Sequence, residues 1–132
     1  MPELKMARML LKLAAEDMTV LNLLLEEERM PIRPSGFHAQ QAVEKALKAW
    51  LVFLDEDYPL THSLFALLEL VRKSGADCGK FESLAGLTPY AVELRYDTAV
   101  PDVQVDPAAV APTVADLLSY VRELLTAAEA GE

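Results

Sequence analysis

The sequence lacks several features that would assign it to particular protein classes. It contains one cysteine, Cys78, with no CxxC or Cys/His spacing around it, so neither an internal disulfide nor a cysteine-based metal site is expected. No charge-free apolar run reaches the length of about 18 residues that a membrane helix needs, and the first residues lead directly into a charged helical pattern. We therefore expect no membrane span, no signal peptide and a cytoplasmic location.

Positive charge is also scarce. The net charge is −9, and the first 50 residues balance 7 Lys and Arg against 7 Asp and Glu, whereas the rest of the chain holds 5 and 14. Because affinity for nucleic acid comes largely from Lys and Arg that neutralise phosphates, this balance argues against broad DNA binding. A local basic site would have to use Lys45 and Lys48, together with Arg95 or Arg33.

Apolar residues recur at helical spacing from Leu4 to Leu25, which predicts a long amphipathic helix. A second apolar row on the same helix exceeds what one partner helix needs to cover, so we expect a homodimer. This row consists of Met6, Leu10, Leu13, Val20 and Leu24, and Asp17 interrupts it. Two prolines follow, and because neither fits a helix interior we expect the second helix to start only at Ser35 or Gly36.

The stretch from Phe37 to Leu54 is expected to be the central helix of the fold. Its small residues recur at helical spacing and form a ridge that another helix can approach closely. They are Ala39, Ala42, Ala46 and Ala49. Larger apolar side chains, among them Trp50, fill the space beside that ridge.

Local signals predict the remaining elements. Thr61 is a candidate N-cap for a third helix, which Ser74-Gly75 would end because glycine suits the left-handed position after a helix. The region Lys80–Arg95 reads as two helical pieces divided at Thr88-Pro89, or as one helix kinked at the proline.

We interpret DTAVPDVQVD, residues 97–106, as a surface loop, and Asp106-Pro107 as the cap of the last helix. No segment shows strand alternation. With 132 residues, 52% of them hydrophobic, the chain is predicted to form one all-α domain over residues 1–132. Its architecture would be an up-and-down bundle of four long helices plus a shorter fifth.

One stripe of polar residues follows the second helix. His38, Gln41, Lys45 and Lys48 are separated by three, four and three residues, and Gln40 and Glu44 lie alongside. Such a stripe either holds a ligand or forms a solvated helix face, on which Glu44 and Lys48 would be an ordinary pair one turn apart.

Three segments, FHAQQAVEKALKA, THSLFALLELV and LTPYAVELRYD, together closely resemble the HEPN domain family of prokaryotic helical-bundle proteins. The resemblance implies a bundle that commonly dimerises and is often encoded beside a minimal nucleotidyltransferase. It also implies nucleotide binding or action on RNA in defence and toxin–antitoxin systems. The family's recurrent polar positions map onto His38, Gln41, Glu44, Lys45, Lys48, His62, Arg95 and Tyr96.

One departure from the family decides between two functions. HEPN ribonucleases carry an arginine followed after four to six residues by a histidine, and no histidine occupies those positions after Arg95. The same spacing does occur at Arg33 and His38, but on another helix. We therefore expect a non-catalytic module that binds a nucleotide or a partner, with no cofactor and no metal.

The nucleotide or phosphate contacts would come from Lys45, Lys48, Arg95, His38, Gln41, His62 and Tyr96. The alternative is a metal-independent RNA endonuclease that uses Arg95 as a phosphate clamp and His38 or His62 as the acid and base.

Overall fold

The computed structural model describes residues 4–92 and 105–131, and within them the chain is helical with no strand. The α-helices are α1 (Leu4–Leu25), α2 (Ile32–Phe53), α3 (Leu64–Lys73) and α4 (Pro107–Ala130). A 3₁₀ segment, Gly79–Val92, stands between α3 and α4. The predicted all-α bundle is confirmed, whereas most of the predicted loop 97–106 lies outside the described residues.

Helix α2 is the centre of the fold, as its sequence predicts, because it packs against α1, α3, the 3₁₀ segment and α4. All four alanines of its ridge are fully buried. On the side facing the 3₁₀ segment and α4, Trp50 makes an edge-on contact with Phe81 and a tilted contact with Tyr120. The result is a continuous core with α2 in its middle.

The structure corrects the predicted start of α2. The helix begins at Ile32 instead of Ser35 or Gly36, so Pro34 is its third residue. The first four backbone N–H groups of a helix have no partner within it, and a proline there therefore sacrifices no hydrogen bond. The expectation failed because it treated the first turn as helix interior.

The cap of α3 is also corrected. Ser63, not Thr61, is the N-cap, and its hydroxyl accepts a hydrogen bond from the backbone N–H of Ala66. The hydroxyl of Thr61 instead accepts from the N–H of Ser63. The predicted end is confirmed, since Gly75 follows Ser74 with a φ of 97°.

The 3₁₀ segment runs continuously through Pro89, so the two-piece prediction is wrong. Thr88 does not cap a new helix there. Its hydroxyl donates to the carbonyl of Ala85 and accepts from the backbone N–H of Leu64, at 2.8 and 3.2 Å. This contact attaches the start of α3 to the 3₁₀ segment.

Candidate functional site

The polar stripe of α2 is organised around a buried carboxylate, Glu44, which is 5% exposed. Its Oε1 accepts a hydrogen bond of 3.0 Å from Gln40, and its Oε2 accepts one of 3.0 Å from Lys48. The Nδ1 atom of His62, in the segment before α3, lies 2.8 Å from Oε1. Two polar groups of α2 and one of this segment therefore converge on one carboxylate.

Gln40 extends this network and is fully buried. Its amide also donates to the backbone carbonyl of His62 at 3.1 Å, while its own oxygen accepts from Gln41 at 2.7 Å. The side chain of Gln40 thus joins α2 to the segment before α3. With its donor and acceptor atoms both used, it carries no unsatisfied polar atom into the core.

A second carboxylate, Asp17 of α1, holds the other two members of the stripe. Lys45 donates to its Oδ2 at 2.5 Å, and the Nδ1 atom of His38 lies 3.0 Å from its Oδ1. Asp17 is 9% exposed. Both lysines that the sequence offers for phosphate binding are therefore paired with a largely buried carboxylate.

The contacts of Glu44 determine its charge. Burial acts to raise the pKa of this carboxyl group, but hydrogen bonds from Gln40, His62 and Lys48 outweigh burial, and the pKa lies below its ordinary value. Glu44 is consequently ionised at neutral pH. An ionised carboxylate is also the state that can hold both a lysine and a histidine.

The two histidines share one arrangement. Each presents Nδ1 to a carboxylate, His38 to Asp17 and His62 to Glu44. A neutral ring that donates from Nδ1 leaves Nε2 as an acceptor, so the carboxylate orients the ring and selects its tautomer. The two sites differ in access, because the His62 side chain is 69% exposed and that of His38 only 28%.

Exposed apolar groups lie on both sides of His62 in the chain. Leu60 is fully exposed and Phe65 is 63% exposed. The backbone between them is fixed by the Ser63 cap and by the contact from Leu64 to Thr88. These three exposed residues, Leu60, His62 and Phe65, lie within six consecutive positions of the chain and are called here the His62 face. They combine two apolar side chains with an oriented polar ring.

Six of the eight family positions lie within the described residues, and all six contribute to the two carboxylate clusters. They are His38, Gln41, Glu44, Lys45, Lys48 and His62. Arg95 and Tyr96 lie outside the described residues, so the predicted convergence of Arg95 with the lysines stays a prediction.

Sequence reasoning missed two residues of the site, Asp17 and Gln40. In the sequence pattern Asp17 is only an interruption of an apolar row, although a carboxylate in such a row needs a buried partner. The helical spacing puts Gln40 beside the polar stripe and gives no sign of its place in the network. The signal that could have identified Asp17 as a site residue is its charge at an otherwise apolar position of α1.

Cys78 and the two histidines belong to no metal-binding cluster within the part of the chain that the structure describes. In residues 4–92 and 105–131, no group of three or more His, Cys, Asp or Glu side chains is placed to hold a metal ion. Cys78 is buried, its thiol donates to the carbonyl of Leu68, and burial raises its pKa. A buried thiol with a raised pKa is a poor nucleophile.

Comparison with known proteins identifies the family of the chain. The model of a family described as "HEPN domain" matches residues 7–130, nearly the whole chain. No curated protein and no solved structure matches significantly. Within the described helices, none has both the length and the apolar character required to cross a membrane.

Proposed function

The chain belongs to the HEPN domain family, and from this membership and the geometry of the site we propose that it is a non-catalytic partner-binding module. Its partner is a minimal nucleotidyltransferase, in a toxin–antitoxin or defence-type system. The partner contacts the His62 face. The partner class rests on the resemblance of the sequence to this family, and the location rests on the structure.

The observation that carries this proposal is the exposure of Leu60 and Phe65 on either side of an oriented histidine. Large apolar side chains in water next to a rigid polar group are typical of the centre of a protein interface. Glu44 and Gln40 hold His62 through its ring and its carbonyl. Because His62 is already held in place, less conformational entropy is lost when a partner binds.

Charge also favours a protein partner over a polynucleotide. The chain carries −9 overall, and Lys45 and Lys48 are each bound to a carboxylate. A phosphate at these lysines would have to compete with Asp17 and Glu44 for the same ammonium groups. Nucleotide binding by Lys45, Lys48 and Arg95 is therefore a secondary proposal, in which Arg95→Ala weakens nucleotide binding.

A binding titration tests the main proposal. The purified chain is titrated by calorimetry with the minimal nucleotidyltransferase encoded nearest to it. Phe65→Ala should cost about 2 kcal/mol, roughly thirtyfold in Kd, as expected for an aromatic residue at the centre of an interface. Leu23→Ala is the matched control, because Leu23 is 61% exposed on α1 and should leave the Kd unchanged.

The absence of binding, or equal losses for the two variants, would contradict the proposal. Unfolding curves of both variants show whether the fold is retained. Since both side chains are already exposed, neither substitution should change stability by more than about 0.5 kcal/mol.

One observation favours the metal-independent RNA endonuclease as a second candidate. His38 and His62 are each oriented by a carboxylate, which is how a histidine is prepared as a general base. RNA cleavage that persists in EDTA and is lost in His62→Ala or His38→Ala would establish this activity. An arginine clamp would then have to come from Arg95.

A further inference from the structure

A groove between α1 and α4 brings together three positively charged side chains. It has a volume of about 280 Å³, and Arg8 and Lys12 of α1 line it together with Arg122 of α4. The first two are four residues apart and therefore share one helix face. None of the described residues that line the groove belongs to the carboxylate clusters around Asp17 and Glu44.

The cations of this groove are incompletely neutralised. Among the described residues, Glu129 is the one acidic side chain that lines it, and it is paired with Arg8 at 2.7 Å. Lys12 and Arg122 form no ion pair or hydrogen bond with any part of the chain that the structure describes. The described lining residues thus carry a net charge of +2, from three cations and one carboxylate, on a protein whose net charge is −9.

The floor of the groove is apolar. Leu11 and Leu125 are both buried beneath the charged side chains, and Thr126 adds a hydroxyl group at the rim. Thr126 lies one turn after Arg122 on α4, so its hydroxyl and the guanidinium share a face. The groove therefore offers charge and hydrogen-bond donors above a small apolar surface.

We infer that this groove binds the phosphoryl group of a small organic phosphate monoester. A dianionic phosphoryl group matches the net charge of the lining, with Arg122 offering parallel donors and Lys12 a mobile point charge. The organic part rests on the Leu11 and Leu125 floor. The volume is just below the roughly 300–1,000 Å³ of pockets for drug-sized ligands, which limits the ligand to a small one.

An NMR titration of the isotope-labelled chain tests the inference, with phenyl phosphate and inorganic phosphate as probes. Phenyl phosphate should shift the amides around Ala15 and Thr126 saturably, and inorganic phosphate should bind several-fold more weakly because it leaves the apolar floor uncovered. Equal affinities would overturn the assignment to a monoester, and the absence of saturable shifts would overturn the site.

Matched variants distinguish binding within the groove from a general effect of the protein's positive charges. Lys12→Gln with Arg122→Gln should weaken phenyl phosphate binding by at least about tenfold. The control pair, Arg29→Gln with Lys73→Gln, removes the same charge from two exposed cations outside the groove and should leave affinity within about twofold. Equal losses in the two pairs would overturn the inference.

One substitution should raise the affinity of the groove for phenyl phosphate. Glu129→Gln removes the one carboxylate of the groove and releases Arg8, so phenyl phosphate should bind several-fold more tightly. Unchanged or weaker binding would contradict the role of charge. Because both partners of the Arg8–Glu129 pair are about half exposed, its loss should leave the fold intact.

Discussion

Lys48 donates a hydrogen bond of 3.0 Å to Glu44 one turn earlier on α2, and both side chains are withdrawn from water, at 12% and 7% exposure. On the surface of a helix such a pair contributes only a few tenths of a kcal/mol. Here Glu44 also accepts a hydrogen bond from Gln40 and contacts Nδ1 of His62. The pair is thus part of the structure that holds α3 against α2.

Replacing Glu44 should therefore destabilise the fold in a pH-dependent manner. At neutral pH, Glu44→Gln should lower the free energy of unfolding by about 2–3 kcal/mol, because Lys48 and His62 lose an ionised acceptor. The folded pKa of Glu44 lies below its ordinary value of 4.5, so the contribution is present above that value. It is lost as the pH falls through the folded pKa.

Urea unfolding of both proteins at a series of pH values measures this difference. Glu16→Gln is the control, because Glu16 is exposed and has no ion pair within the described residues. A difference between wild type and Glu44→Gln that does not shrink below the ordinary pKa would mean that the ionised carboxylate is not what stabilises the fold.

Gly36 should not tolerate alanine although it lies within a helix. A Cβ atom there would overlap Cδ1 of the Tyr90 ring. Glycine to alanine normally stabilises a helix by up to about 1 kcal/mol, but this overlap should reverse the sign and cost about 1–3 kcal/mol. Thermal or urea unfolding measures the change.

The control for Gly36→Ala is the double variant with Tyr90→Leu, which removes the ring that the new methyl group meets. The two substitutions should then be less destabilising together than the sum of their separate effects. Strict additivity would show that Gly36 is not limited by contact with Tyr90.

The buried alanine ridge of α2 should not accept a charge. Ala46 is fully buried, so Ala46→Glu places an unpaired carboxylate and added volume into a close helix contact. The cost of several kcal/mol compares with a total stability of about 5–15 kcal/mol. Circular dichroism should show loss of folding, whereas Ala109→Glu, at an exposed position in the first turn of α4, should melt like the wild type.

The apolar surface of α1 should mediate a homodimer. Met6, Met9 and Leu13 are 40–48% exposed on this helix, and apolar patches of this kind are seldom left open to water. Light scattering should give about twice the chain mass of 14.5 kDa. Leu13→Lys should shift the mass toward one chain, and a monomeric wild type would mean that this surface has another role.

Most helical elements could be predicted because apolar spacing is a local property of the sequence, although the start of α2 and the N-cap of α3 were predicted wrongly. The alanine ridge, the glycine after α3 and the Asp106-Pro107 cap all follow from residues that lie close together in the sequence. The burial of Glu44 and its contact with His62 could not be predicted in the same way. Its burial depends on His62 and the start of α3 folding over α2, which is a tertiary contact between residues 18 positions apart.

The two partners of Asp17 could not be predicted for a similar reason. Nothing near Asp17 in the sequence indicates that Lys45 and His38 meet it across the α1–α2 contact. The polar stripe was recognised correctly, but its acceptors lie on another helix or inside the core. Local patterns therefore identified the donors of the site and the pair of Lys48 with Glu44, and they left the partners of Lys45 and the two histidines open.

The central claim is that the His62 face is the surface that contacts a minimal nucleotidyltransferase. Hydrogen exchange of the chain, alone and in the complex, tests it most directly, because it locates the contact without any substitution. We expect slowed exchange at the amides from Thr61 to Ala66 and unchanged exchange along the α1–α4 groove. Protection confined to other surfaces, with residues 61–66 exchanging as in the free chain, would contradict the claim.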